Sequence, residues 1–139
     1  MRIDYHGINA ADLRGSTIAD YLVNIEADFE LSDEAGVIYS EFAFPIAELA
    51  RELARWIAQG EDVATDFSFS SLSFPEPGSV TITRSGSGWT AGSMFADDRT
   101  PAPVPWAVLA RGIEGFVEDV RKDVAALGID PSFIGATRD

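Results

Sequence analysis

Residues 21–31 read YLVNIEADFEL, in which Val23, Ile25, Ala27, Phe29 and Leu31 alternate with Asn24, Glu26, Asp28 and Glu30. A period of two sends successive side chains to opposite sides of an extended chain, so this segment is predicted to be a strand with one buried and one wet face. Turn-forming SDEAG follows, and VIYSEFAF returns with Ile38, Phe42 and Phe44 as inward positions, completing a hairpin. The period then lengthens. Ile46, Leu49, Ala50, Leu53, Trp56 and Ile57 recur at helical spacing between Pro45, which suits a first helical turn, and Gly60, which suits the position past a helix end. Glu48, Arg51, Glu52 and Arg55 fill the other side with opposite charges three residues apart.

Beyond residue 60 the phase breaks. Phe67 and Phe69 alternate with serines, whereas Leu72 and Phe74 have the opposite parity, which a bulge near Ser70 and Ser71 would reconcile. PEPGS reads as a turn, VTITR as a strand, SGSG as a turn and WTAGSMF as a strand, giving an antiparallel meander. Trp89 is expected under the helices, with close backbone approach at Gly92. ADDRTPAPVP is a stiff, proline-rich connection without donors for a sheet. A second helix is predicted over 105–127, with the stripe Trp106, Leu109, Ile113, Phe116, Val117, Val120, Val124, Leu127. The pattern predicts one α+β domain: an N-terminal arm (1–20), a core (21–127) and a C-terminal tail (128–139). The core is expected to be an antiparallel sheet of about five strands with the two amphipathic helices packed on one face, burying Trp56, Trp106, Phe116 and Val120 together.

Composition narrows the chemistry. With 139 residues and 46% hydrophobic positions the chain can bury a core without staples, and the absence of cysteine excludes disulfides, thiolate metal sites and thiol nucleophiles. The opening MRIDYHGINAADLRG lacks the apolar core of a signal peptide, and no apolar run is long enough to span a bilayer, so a cytoplasmic protein off the membrane is expected. The formal net charge is −13, from 23 acidic against 10 basic residues, with Lys122 the sole lysine. Such a surface repels nucleic acid and anionic lipid and steers basic proteins toward it. Genome composition also yields acidic chains, and a solvated acidic face is the bland counterpart of a docking surface.

Candidate motifs fail on spacing. TITRSGSGWTAGSMF has the glycines of a phosphate loop, but it feeds a strand rather than a helix and lacks lysine, so Ser85-Gly86-Ser87-Gly88 is read as a hairpin turn. His6 is the only histidine, too few for a usual zinc set, and EADFELSDEAG lacks calcium-loop spacing. No catalytic residue, metal ligand or cofactor site is predicted, and Glu41 is the one acidic residue whose parity leaves burial open. What remains is an acidic strip, Glu26, Asp28 and Glu30, running into Asp33 and Glu34 with Asp97 and Asp98 at its rim. This is the candidate partner-binding surface.

With EADFEL, FAFPIAELARELARWI, DFSFSSLSFPEPGSVTITRSGSGW and FVEDVRKDVAAL in that order, residues 21–127 resemble the small immunity proteins that bacteria encode beside contact-dependent and polymorphic toxins, especially wall-associated ones. The resemblance lies in the succession of hairpin, helix, meander and helix. It implies a non-enzymatic protein that binds one cognate toxin, often a nuclease, and covers its active site or substrate path; no residue role is carried over. An acidic DNA mimic of the phage or defence kind, a small enzyme, which would need a buried carboxylate cleft, and a structural or oligomeric domain are the alternatives from other classes.

Overall fold

In a computed structural model, residues 1–96 and 101–135 are described. Their elements run β1 (Arg2–Asn9), α1 (Ile18–Asn24), β2 (Glu26–Asp33), β3 (Gly36–Phe44), α2 (Ile46–Ala58), β4 (Phe67–Ser68), β5 (Thr81–Ser85), β6 (Gly88–Gly92) and α3 (Trp106–Ala126), then a 3-10 turn at Pro131–Phe133. The fold is α+β with antiparallel strands, but the strands form two three-stranded sheets, β1-β2-β3 and β4-β5-β6, instead of one sheet of five.

The first sheet is completed by the segment read as an arm. In RIDYHGIN, Ile3, Tyr5 and Ile8 pack against the core while Arg2, Asp4 and His6 face water, and the strand pairs with β2 so that Tyr5 opposes Phe29 and Asp4 opposes Glu30. The meander pairs within itself as the second sheet. The far edge of β6 is closed by Val104, whose N–H and carbonyl each exchange a 2.8 Å bond with Trp89, so the proline-rich connection does supply a sheet donor at its one valine. The close approach falls at Gly88 and not at Gly92: a Cβ on Gly88 would lie 2.9 Å from the Val104 carbonyl oxygen, whereas one on Gly92 meets only ordinary contact.

Residues 21–24, expected as strand, close helix α1 instead. Thr17 caps that helix, its hydroxyl accepting the Asp20 N–H while the Asp20 carboxylate accepts the Thr17 N–H, each at 3.1 Å. This reciprocal pair satisfies two orphan donors and starts the helix, so Val23 leaves the buried row and lies in water. From Ile25 the predicted alternation holds, and Ile25, Ala27, Phe29 and Leu31 are all buried.

Strand β3 departs from alternation twice. Ala27 opposes Phe44 while Phe29 opposes Glu41, so β3 spends one more residue than β2 over that interval; a second slip lies between Leu31 and Ser32. The first slip sits at Ala43, which takes φ +52°, a left-handed conformation that a non-glycine residue adopts at a cost of about 1–2 kcal/mol. Its result overturns the expectation for Phe42, which is 82% exposed, while Phe44 is wholly buried and stacks on Phe29 at 4.5 Å.

Both long helices stand where the periodicity puts them, packed against each other and, through one shared cluster, against both sheets. Trp56, Trp89 and Trp106 meet with ring centroids 5.5, 5.3 and 5.2 Å apart, and the buried indoles of Trp56 and Trp89 donate to the Thr65 carbonyl and the Glu61 carboxylate. Trp106 is only half-buried and Leu127 is exposed, at the two ends of the α3 stripe. Past α3 the expected tail turns back, burying Ile134. No bulge forms at Ser70 and Ser71. The chain leaves the strand after Ser68 and turns, Leu72 lies in water, and Glu48, expected on the polar side of α2, is buried and accepts from the Ser71 hydroxyl and the Leu72 N–H.

The slip separates neighbouring phenylalanines by function of burial, so their truncations should differ sharply. Phe44→Ala is expected to cost about 3–5 kcal/mol and Phe42→Ala less than about 0.5 kcal/mol. Urea unfolding followed by tryptophan fluorescence measures both; similar losses would contradict the slipped pairing.

Candidate docking face on the first sheet

The wet face of the first sheet is built from alternate residues of three strands. Asp4 of β1, Glu30 of β2 and Ser40 of β3 lie across from one another in one row, and His6 pairs with Asp28 in the next. The Asp28 carboxylate is held at both oxygens: Oδ1 accepts the Ala43 N–H at 3.3 Å, and Oδ2 lies 3.5 Å from His6 Nε2. The slip in β3 therefore does two things at once, turning Phe44 inward while Phe42 stays outward and aiming a backbone donor at Asp28. His6, Asp28, Glu30, Ser40, Glu41 and Phe42 line a shallow depression of about 260 Å³. Glu41 is exposed, and its carboxylate accepts from the Tyr39 hydroxyl at 3.0 Å.

Glu26 lies beyond an irregularity between β1 and β2. Gly7, at φ +68°, lets β1 slip so that Asn9 opposes Glu26, and there the carboxyl meets that of Asp12. Partial burial first, and then the Asp12 charge and hydrogen bond, hold Glu26 above the usual carboxylate range. Asp33 and Glu34 lie at the other end of the hairpin, where they line a separate cavity of about 430 Å³ with Met1, Ile38, Trp89 and Val104. The predicted strip is thus divided: Asp28 and Glu30 share the depression with Phe42, Glu26 joins Asp12, and Asp33 and Glu34 edge the second cavity. Asp97 and Asp98 lie outside the described residues.

The face does not assemble a nucleophile with a base. His6 and Ser40 belong to outer strands with β2 between them, about 9–10 Å apart at ordinary strand spacing, too far for a hydrogen bond. Among the described residues no group of three or more His, Cys, Asp or Glu side chains is placed to hold a metal ion. No helix among them is long and apolar enough to cross a membrane. The cleft between β1 and α3 ties the sheet to the helix: the Tyr5 hydroxyl donates to Asp123 beside Asp119 and Lys122. Burial, then the Asp123 hydrogen bond and charge, push the Tyr5 phenol well above its ordinary range, and burial with Glu41 does the same to Tyr39.

Phe42, His6, Asp4 and Ser40 were not among the predicted site residues. The signal for β1 was present in the alternation of Ile3 and Tyr5 with Asp4 and His6; the signal for Phe42 was absent, because strict alternation pairs it with Phe44. A family model described as a domain of unknown function, DUF7878, matches residues 1–126. No curated protein and no solved structure matches the chain.

A phenol whose folded pKa lies above its unfolded value binds its proton more tightly when folded, so its stabilisation is complete below about pH 10 and is lost as pH rises through the folded value. In an alkaline titration, phenolate absorbance from Tyr5 and Tyr39 is therefore expected to appear only together with loss of near-ultraviolet circular dichroism. Ionisation of both in the intact fold would contradict the burial and carboxylate contacts described.

Proposed function

The chain belongs to this family of unknown function, and we propose that it is a non-enzymatic binding protein, an inhibitor of the immunity-protein kind, that occludes a basic protein partner such as a toxin nuclease. The observation that carries this reading is a phenylalanine 82% in water beside the Asp28 and Glu30 carboxylates. A ring of that size left in water forgoes about 1.5–3 kcal/mol of burial, which a partner's surface can supply. Interfaces spend such residues well: an aromatic at the centre excludes water, and charges around it steer the encounter.

Charge chooses the partner. A second copy of a chain with net charge −13 would bring like charges together on this face, whereas a basic surface meets complementary ones. Carboxylates two residues apart on one strand are spaced about 6.6–6.8 Å, so a basic cleft made for a chain of phosphates would meet anions at a repeat it can accommodate. The protein occludes its partner by occupying that cleft and needs no turnover.

The test is capture of basic proteins from the source organism on the immobilised chain, followed by association kinetics against ionic strength. Asp28→Lys with Glu30→Lys is expected to slow association about tenfold at low salt and to flatten its salt dependence. Asp62→Lys with Glu118→Lys, elsewhere on the surface, is the control. Equal effects from both pairs would leave the acidity compositional and remove the docking reading.

A further inference from the structure

We propose that the depression between Asp28, Glu30 and Phe42 is selective for an arginine side chain over a lysine, so that the partner docks through arginine. This rests on the docking reading above and specifies the chemistry of its central contact. At about 260 Å³ the depression is smaller than the pockets of about 300–1,000 Å³ that hold drug-sized molecules, and a single long side chain is the guest that suits it. Its walls carry the carboxylates of Asp28 and Glu30, two residues apart on β2, the Ser40 hydroxyl across from Glu30, and an aromatic ring at Phe42. A guanidinium is planar, with a fork of donors that spans more than one acceptor while its face lies on a ring; an ammonium is a compact, strongly hydrated charge that gains less from either.

The chain already holds one arginine in this way. The Arg84 guanidinium carbon lies 4.8 Å from the centre of the Trp89 ring while Nη2 lies 3.5 Å from the Glu61 carboxylate, which also accepts the Trp89 indole N–H. That arrangement, one aromatic face and one carboxylate, is satisfied from within. On the first sheet the same pair of groups is displayed to solvent.

Edge pairing does not explain Phe42. Strand β3 is slipped twice within nine residues and carries Glu41, devices that block strand addition, so a partner reaches Phe42 across the face and not along the edge.

The experiment is a nuclear magnetic resonance titration of the full chain with end-blocked tri-arginine and tri-lysine peptides. The expected result is amide shifts centred on Asp28, Glu30, Ser40 and Phe42, with tri-arginine about threefold tighter. Phe42→Ala, whose side chain is too exposed to be needed for folding, should make the two peptides equal, whereas Asp28→Asn should weaken both. Equal affinity of the two peptides at this face, or a preference that survives Phe42→Ala, overturns arginine selectivity and leaves the docking reading standing. Shifts of the same size around Glu52, Glu118 and Asp130 overturn both.

Discussion

Between Glu41 and Phe44 the third strand spends one residue more than its partner, and the rest of the first sheet depends on that slip. In unbroken alternation Phe42 and Phe44 would share a side, and the core there is already closed by Phe29, Phe69 and Phe74 around Phe44 at centroid distances of 4.5, 5.7 and 5.6 Å. Burying Phe44 contributes about 1.5–3 kcal/mol, more than the strain of about 1–2 kcal/mol at Ala43, so the slipped strand is favoured despite its left-handed alanine. Packing thus ejects a phenylalanine, and the ejected ring lands on the charged face. A core constraint and a surface property have one cause.

The charged face is inexpensive to maintain. Carboxylates about 6.7 Å apart in a water-like dielectric repel by about 0.6 kcal/mol per pair, and physiological salt lowers this further. Two of them are moreover partnered: Asp28 accepts the Ala43 N–H, and Asp4 pairs with Arg2 at 3.3 Å. The repulsion that remains falls when a cation arrives, which is how a cost in the free protein becomes affinity in a complex. Glu26 differs. Partial burial and the nearby Asp12 hold its carboxyl above the usual carboxylate range.

Sequence periodicity carried much of this. The helices around Leu53 and Val120 were legible because their apolar stripes are long and consistent, and the buried row Ile25, Ala27, Phe29, Leu31 because it alternates without a break. The turn at Ser85 to Gly88 was legible from glycine chemistry alone. What escaped depends on partners distant in sequence. The strand at Arg2–Asn9 has inner residues that are only half-buried, and its pairing with β2 makes a three-stranded sheet separate from the meander. Glu48 reads as surface until the loop at Ser71 folds over it. Helix α1 was announced by Thr17 and Asp20, a capping pair outweighed by the longer alternation that begins at Tyr21. Phe42 has no local signal, because the slip that exposes it is set by crowding among rings from three other segments.

The pairing across β2 and β3 tests this most directly. Interstrand nuclear Overhauser contacts are expected to join Ala27 with Phe44 and Phe29 with Glu41, with the Phe42 ring giving few contacts to the core. Contacts that place Phe29 opposite Phe42 would restore unbroken alternation, return that ring to the interior, and remove the aromatic centre from the acidic face.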